Sequence, residues 1–288
     1  MNKQQLVTKF LERGILVTPE TLNKITEGDD IESIINSTNT VFAKPSQQHP
    51  STFTFKIKQN QQKEKITPKD FIEYYSKKFE ALKNILVQKA DAVSINNLQQ
   101  EREACIIGMV GDKTSRGFHI EDQTGRLEAV CSEPQKQSAV LGFKGVLKDK
   151  TFVVKDLVYP DIPLSKQSTT HQKLTLTTKQ TTDTNNLTIS PNNKEKADNL
   201  ISNFPLPTTV TISMNQQQTT VLIFQPHEPT NKNQATQHLK LRCLPETNIP
   251  NQNNIIEEVP DIFWIIQQDE WKENYKGVMI VSGETVNL

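Results

Sequence analysis

The chain has 288 residues, with 33 basic and 33 acidic side chains, so its formal net charge is zero. A neutral chain lacks the broad positive field by which many proteins attract nucleic acid, and any DNA contact must come from a local basic patch. Hydrophobic residues make up 34% of the sequence. This content suits small domains joined by polar linkers better than one large core.

The N-terminal residues and the cysteines indicate a cellular compartment. Residues 1–15 are polar with isolated apolar positions, and they lack the hydrophobic segment of a signal peptide. No run approaches the ~20 apolar residues that span a bilayer. Cys105, Cys131 and Cys243 are widely spaced and odd in number, which is typical of reduced thiols. The sequence therefore predicts a cytoplasmic protein with no membrane partner.

The first 40 residues predict a small helical module. Apolar residues occur at helical spacing before Gly14, and Thr18-Pro19 starts a second helix as an N-cap followed by proline. Residues 41–66 predict a linker and an extended segment, since they include a stretch of Ser, Thr, Pro, Gln and His. The module is therefore expected to be separate from the rest of the chain.

Residues 67–164 predict a helix followed by a β-barrel. Thr67-Pro68 is an N-cap with proline at the first helical position, and an apolar stripe of period 3.6 continues to about Lys89. From Arg102 the pattern changes to five short strands, at 105–110, 117–121, 126–130, 144–147 and 151–158. Five short strands in so little sequence fit an OB-fold barrel. Gly108 and Gly145 are predicted where barrel strands bend.

The remaining sequence predicts a linker and a C-terminal unit. Residues 165–199 consist mainly of Thr, Ser, Asn, Gln and Lys, and we expect a polar linker there. Residues 200–288 predict a domain that contains a hairpin, 209–213 with 219–224, and strands near 261–266 and 277–281.

The histidines do not form a metal-binding pattern. His49 and His171 lie in polar linkers, and His119 is expected on the surface of a strand. His227-Glu228 is the one local pair that suggests metal or acid–base chemistry, but no second His or Asp follows at ligand spacing. The sequence therefore predicts no catalytic residue, no metal and no cofactor.

Basic side chains on the predicted barrel loops are candidates for contacts with a phosphate backbone. They are Lys113, Arg116, Lys144, Lys148 and Lys150. Barrels that bind single strands usually combine a basic groove with stacking aromatic rings. Phe118 and Phe152, however, are predicted to be core residues. Direct DNA binding is therefore expected to be weak.

Two C-terminal segments, 257–269 and 275–283, resemble a known domain. They are similar to the end of the calcineurin-like phosphodiesterase domain in the small subunit of archaeal D-family DNA polymerases. In that family Pro-Asp-Ile-Phe leads into a Gly-His-x-His turn that supplies metal ligands. This chain keeps Pro260-Asp261-Ile262-Phe263, but its turn reads Ile266-Gln267-Gln268-Asp269.

The resemblance extends through most of the chain. Residues 9–20 look like the family's N-terminal helical module, and residues 67–86 look like the helix that leads to its barrel. Residues 106–110 and 120–125 resemble the first barrel strands, and 158–163 resemble the exit into the phosphodiesterase domain. The resemblance therefore implies an α+β multidomain protein, with an N-terminal helical module, an OB-fold barrel and a reduced phosphodiesterase-like α/β unit.

The departures from the family pattern concern its metal ligands. The family's Asp-x-His, Gly-Asp and Asn-His-Asp elements do not occur between Leu164 and Phe204, and Gln225, Gln267 and Asp269 stand where the resemblance places ligands. A glutamine amide is a poor ligand for a catalytic transition metal. Trp264 stands at the place of a family histidine, where it could fill the vacated pocket or serve as an interface anchor.

The resemblance implies a noncatalytic structural small subunit of a D-family replicative DNA polymerase. Its partner would be the large catalytic subunit, through which it would meet DNA and, indirectly, the sliding clamp. Two alternatives remain open at this point. One is a small subunit that retains 3′–5′ exonuclease activity, and the other is a stand-alone OB-fold protein that binds single-stranded DNA.

Overall fold

The computed structural model describes part of the chain, all of it within the unit Thr54–Leu288. The described residues are 54–58, 66–164, 174–178, 187–191, 200–202, 204–214, 217–245, 251 and 254–288. The predicted helical module at 1–40 lies outside them. This part of the chain is mixed α+β and mostly sheet, with two α-helices of more than one turn. Neither of these helices has the length and hydropathy needed to cross a membrane.

Strand β1, Thr54–Lys58, precedes helix α1, Pro68–Leu86. The helix begins where the sequence predicts, because Pro68 fits the first turn and the Asp70 carboxylate accepts a hydrogen bond from the Thr67 amide at 2.8 Å. Its buried face includes Tyr74, Lys78, Phe79, Leu82 and Leu86 and packs on the strands of the predicted barrel. The helix ends three residues before the predicted boundary, and a turn covers 87–89.

Five strands come next: β2 Glu103–Lys113, β3 Phe118–Glu121, β4 Arg126–Val130, β5 Val140–Lys148 and β6 Thr151–Val158. They pair in the cyclic order β2-β3-β4-β6-β5, and β5 returns to β2. Only the β4–β6 pairing is parallel. All five correspond to strands predicted from the sequence. Phe118, Phe143 and Phe152 lie in the apolar cluster inside this ring, as predicted for Phe118 and Phe152.

Two glycines allow close approach of backbone and side chains in the ring. At Gly145 the β5–β6 register shifts, and a Cβ would overlap the carbonyl oxygen of Val153. This agrees with the predicted bend. At Gly108 the pairing with β5 is regular, and a Cβ would overlap the Ile120 side chain instead. The glycine there makes room for a neighbouring side chain, and the bend predicted at Gly108 stays a prediction.

The rest of the chain forms two sheets and one helix. The elements are β7 Leu174–Thr177, β8 Leu187–Ser190, β9 Leu200–Ser202, β10 Thr208–Met214, β11 Gln217–Phe224, α2 Lys232–Leu241, β12 Ile262–Ile265, β13 Trp271–Tyr275, β14 Val278–Ser282 and β15 Thr285–Asn287. One sheet has the order β1-β10-β11-β12-β14-β13 and the other β15-β7-β8-β9. Strands β11, β12 and β14 are parallel, and all four residues of β12 are buried, as in a sheet covered on both faces.

The prediction of a polar linker at 165–199 is wrong for the segments that the structure describes. Strands β7 and β8 lie within that range, and β7 is buried throughout. Threonine lowers the hydrophobicity of these segments but favours strands, because it branches at Cβ. Its hydroxyl also finds partners: Thr175 Oγ1 donates to Asn287 Oδ1 at 3.1 Å, and Thr177 Oγ1 lies 2.9 Å from Thr285 Oγ1. The buried polar groups are therefore satisfied within the sheet.

Asp161 lies in the segment 159–164, which follows the last strand of the ring β2–β6, and its hydrogen bonds hold this segment in place. Its carboxylate accepts hydrogen bonds from the Tyr275 hydroxyl at 2.9 Å and the Lys276 ammonium at 2.5 Å, and its own amide donates to Lys240 O at 2.8 Å. Lys89 Nζ, beyond the end of α1, contacts the carbonyl oxygens of residues 159–161. These contacts join α1, the ring exit, α2 and the β13–β14 turn.

Burial alone would raise the pKa of Asp161. Hydrogen bonds from Lys276, the Ile162 amide and Tyr275 outweigh that effect and hold the pKa below its ordinary value. Burial and the hydrogen bond to Asp161 raise the pKa of Tyr275. Asp161 is therefore a carboxylate at neutral pH, bound to a protonated tyrosine hydroxyl.

Candidate functional site

The carboxyl ends of the parallel strands meet at one edge of the C-terminal region. Main-chain hydrogen bonds connect them in sequence: Ile266 N donates to Phe224 O at 2.9 Å, and Gly283 N donates to Ile265 O at 3.1 Å. Thr285 then pairs with Thr177 at the carboxyl end of β7. Because β8 and β9 run parallel to β7, their ends lie on the same side. We call this the carboxyl edge, the usual place for ligands in open α/β sheets.

The residues that close these strands carry hydroxyl or amide groups. Strands β7, β8 and β9 end at Thr177, Ser190 and Ser202, and Gln225 follows β11. Gln267 comes two residues after β12. Such groups are weaker ligands for a catalytic transition metal than imidazole or carboxylate. Among the described residues, no group of three or more His, Cys, Asp or Glu side chains is placed to hold a metal ion.

Gln267 makes a specific structural contact at this edge. Its Oε1 accepts a hydrogen bond from Thr230 N at 2.8 Å, and its Nε2 donates to Thr230 O at 3.1 Å. Thr230 is buried, so the amide satisfies two main-chain groups that water does not reach. Gln225 and Asp269 are exposed, and the Asp269 carbonyl accepts a hydrogen bond from Ser282 Oγ. The three positions thus lie near one edge, but each has a different environment.

Trp264 lies inside the sheet. The side chain is fully buried, and its Nε1 donates to Gly283 O at 2.9 Å. An interface anchor must be exposed before the partner binds, so this alternative is wrong for the conformation described. The position is a core position, as expected if the indole fills space near the carboxyl edge.

A cavity of about 770 Å³ adjoins the carboxyl edge. It lies between the end of β11, one face of α2 and Lys136 from the β4–β5 connection of the strand ring. Its volume is within the range of ligand-binding pockets. Phe224, Leu241 and four prolines supply apolar walls, and three glutamines and an asparagine supply amides.

His238 is a residue of this cavity that the sequence did not single out. It is 8% exposed, its ring packs edge-on against Phe224 with centroids 6.2 Å apart, and its Nδ1 has no hydrogen-bond partner in the described part of the chain. Burial, with the nearby Lys136 charge, lowers the pKa of His238 to about 4 despite a hydrogen bond with the Cys243 backbone. The imidazole is therefore neutral at pH 7. In the sequence, the one feature that could have indicated a buried His238 was its position on the apolar face of α2, beside Ala235 and Leu239.

His227 and Glu228 also line the cavity, and both are exposed. Among the described residues, no third His, Cys, Asp or Glu joins them in a group that could hold a metal ion. The pair noted in the sequence therefore stays a pair of exposed side chains. His119 lies on β3, and its Nδ1 is 2.8 Å from the Arg126 guanidinium.

The five predicted DNA-contact residues are all exposed but do not form one patch. Lys113 and Arg116 lie at or beyond the carboxyl end of β2, whereas Lys148 and Lys150 lie at or beyond the carboxyl end of β5. Because β2 and β5 are antiparallel, these two pairs lie at opposite ends of the strand pair. Lys144 lies within β5, opposite Cys105 of β2.

Acidic residues offset this basic charge. Residues 102–158 contain nine Lys or Arg and eight Asp or Glu side chains. Arg126 pairs with Asp112 and Glu121, and Lys155 pairs with Glu103. The surface of the strand ring therefore has little net charge with which to attract a phosphate backbone.

Comparison with known proteins gives a distant similarity to a polymerase subunit. No family model matches the chain. The chain is 26% identical to the DNA polymerase II small subunit of Archaeoglobus fulgidus in an alignment of 108 residues that covers 33% of this chain and 22% of that protein. The matched segment thus spans about a fifth of the relative's length. The similarity is distant and covers a minor part of both proteins.

Proposed function

We propose that this chain is a noncatalytic structural small subunit of a D-family replicative DNA polymerase. The observation that carries the proposal is its similarity to an archaeal DNA polymerase II small subunit. The chain would hold the large catalytic subunit, which would carry polymerisation and contact the sliding clamp. It would meet DNA within that complex.

The strand pairings support a two-domain core for this function. The cyclic order β2-β3-β4-β6-β5 is that of a five-stranded OB-fold barrel, and we assign residues 67–164 to it together with α1. We assign residues 200–288 to a reduced phosphodiesterase-like domain. Strands β7 and β8 belong with that domain, because both pair into the sheet that β15 completes.

The contacts of Gln267 support the absence of hydrolytic chemistry. A two-metal hydrolase needs carboxylates and imidazoles that hold ions ~3.5–4 Å apart. At this position the chain has an amide that is hydrogen-bonded at both ends to Thr230. A side chain used in this way stabilises the edge of the sheet and is not free to bind a metal.

A pull-down with a D-family large subunit from the same source tests the proposal. We expect a stable complex that survives deletion of residues 1–40 and is lost on truncation after Leu164, because the interface is assigned to the barrel and the C-terminal domain. An interface of a permanent complex should exceed the ~1,600 Å² of standard interfaces. No binding of the full-length chain would refute the function.

A nuclease assay separates this proposal from the exonuclease alternative. The purified chain with Mn²⁺ should leave a 5′-labelled single strand at full length. Metal-dependent shortening that persists through repurification would establish the alternative. A preparation of a D-family small subunit with its histidines intact serves as the positive control.

A binding assay addresses the single-strand-binding alternative. With its nearly balanced barrel charge, the chain alone should bind single-stranded DNA weakly, and more weakly still at higher salt. The candidate contact residues are Lys113, Arg116, Lys144, Lys148 and Lys150, and their separation on the strand ring is a further reason to expect weak binding. Lys144→Ala and Lys148→Ala should lower the weak affinity without changing the melting temperature. Nanomolar binding at physiological salt would favour the stand-alone protein.

A further inference from the structure

The cavity beside the carboxyl edge has rigid apolar walls and an amide-rich rim. Pro207, Pro226, Pro229 and Pro245 contribute to the walls, and proline fixes its own φ angle and offers no N–H donor. Gln225, Gln234, Gln237 and Asn254 also line the cavity. Gln234 Oε1 accepts a hydrogen bond from the Asn231 amide at 2.9 Å, and the buried Asn254 donates to Pro245 O at 3.4 Å. The exposed Gln225 and Gln237 are therefore the amides best placed to meet a ligand. Each amide carries both a hydrogen-bond donor and an acceptor. A ligand that fits must therefore combine apolar bulk with groups that donate and accept.

The charges of the cavity disfavour a phosphate-bearing ligand. Lys136 and Glu228 are the charged side chains among its described lining residues, and their charges cancel. His238 adds no charge at neutral pH, because burial keeps its imidazole deprotonated. Binding of a nucleic-acid strand needs several uncompensated Lys or Arg residues. The described lining of the cavity has one cationic and one anionic side chain.

The aromatic groups of the cavity also disfavour a nucleobase. Single-strand-binding proteins stack bases on open aromatic faces. Phe224 is 6% exposed and packs against His238 and Phe263, so its ring presents almost no free face. Phe224 can support an aliphatic group from the side, but it cannot serve as a stacking platform.

We propose that this cavity binds an extended, uncharged peptide segment of the large subunit, with one large apolar side chain inserted between its walls. The peptide groups match the amide rim, since each main-chain unit also carries one donor and one acceptor. The apolar anchor would lie against Leu206, Pro207 and Pro226, which line the cavity and are partly exposed, with the buried Phe224 and Leu241 behind them. The inference rests on the proposed function, and it specifies where that partner is held.

Helix α2 offers a matched pair of positions for a test. Gln237 and Asn233 are both exposed residues of this helix, but Gln237 lines the cavity and Asn233 does not. A photo-crosslinking amino acid at position 237 should link the large subunit through one segment, which mass spectrometry of the digested product would identify. The same group at position 233 should link it much less.

Substitution at the same positions gives an affinity readout. Gln237→Trp should weaken binding of the large subunit by about tenfold or more, because the indole occupies the mouth of the cavity. Asn233→Trp should leave the affinity within about twofold. Melting temperatures of both variants report whether either one has lost its fold, and the crosslinking result stands independently of them.

The outcomes distinguish this proposal from the function on which it rests. If the complex forms but position 237 gives no link to the large subunit, the peptide site is refuted and the scaffold function remains. A link from position 237 to added single-stranded DNA would also refute the peptide site and make it a nucleic-acid site. If the full-length chain does not bind the large subunit, the function fails and the peptide site fails with it.

Discussion

The strand ring and the six-stranded sheet bury their cores in different ways. In the ring every strand has two neighbours, and strands such as β4 alternate between buried and more exposed residues. In the sheet, β12 is buried at every position, while the edge strands β1 and β13 have no buried residue. The ring therefore depends on its inward side chains and close-approach glycines. The sheet depends on every side chain of its central strands, including those next to the carboxyl edge.

The largest effect is expected at the centre of the sheet. Trp264→Ala removes a fully buried indole and leaves Gly283 O without its donor. We expect a loss of about 4 kcal/mol in the free energy of unfolding, measured by urea denaturation. Trp271→Ala is the matched control, because that indole is only partly buried. If the two variants lost equal free energy of unfolding, full burial of Trp264 in the central strand would not explain its contribution to stability.

A smaller effect is expected at a ring glycine. In Gly145→Ala the new methyl would overlap the Val153 carbonyl oxygen, so the β5–β6 backbone must move. We expect a loss of about 2–3 kcal/mol in thermal or chemical denaturation. In Gly111→Ala the nearest atom is the Glu121 carboxylate oxygen at 3.0 Å, which a flexible side chain can move away. That control should remain within about 0.5 kcal/mol of the parent.

The free energy of unfolding should depend on pH through Asp161, which lies between the strand ring and the C-terminal sheets. The folded state lowers the pKa of this carboxyl, so its stabilisation is present above the unfolded value of about 4 and is lost as pH falls through the folded value. Asp161→Asn should cost about 2 kcal/mol at pH 7, and the difference from the parent should shrink as the solution becomes acidic.

Tyr275→Phe is the control for that titration, since it removes one hydrogen bond and keeps the Lys276 ion pair. Its cost should be smaller than that of Asp161→Asn, and the acid dependence should remain. A constant difference between Asp161→Asn and the parent across the acidic range would show that this carboxyl does not link stability to pH.

The smallest effect concerns the two glutamines at the carboxyl edge. Gln267→Ala leaves the buried N–H and C=O of Thr230 without partners and should cost about 1 kcal/mol or slightly more. Gln225→Ala changes an exposed side chain and should be neutral within error. Circular dichroism during thermal denaturation would measure both. A neutral Gln267→Ala variant would show that the Gln267 side chain does not stabilise the carboxyl edge.

The sequence predicted the ring better than the second sheet for a physical reason. The ring strands alternate between apolar and polar residues, and turn residues separate them, so their number and order could be read directly. Strands β7 and β8 lack that contrast, because threonine occupies buried positions. Their burial depends on hydroxyl partners such as Asn287 and Thr285, which lie more than 100 residues away.

The candidate site could be predicted only in part. Gln225, Gln267 and Asp269 were singled out from the resemblance, and the structure places all three near one edge, while their correspondence to family ligands stays a prediction. The cavity and His238 did not follow, because a pocket depends on how α2 lies against β11 and the Lys136 connection. The basic residues were identified as exposed, but their separation depends on the antiparallel pairing of β2 with β5.

The pairing of β15 with β7 has a consequence for the order of assembly during synthesis. Thr175 and Asn287, which are hydrogen-bonded across these strands, are 112 positions apart in sequence. A ribosome must therefore complete the strand ring, α2 and the central strands before β7 can gain this neighbour. Pairing over such a separation is slow relative to local hairpins. Strand β7 would then wait for its β15 neighbour until the last residues of the chain are made, longer than any ring strand waits for its partners.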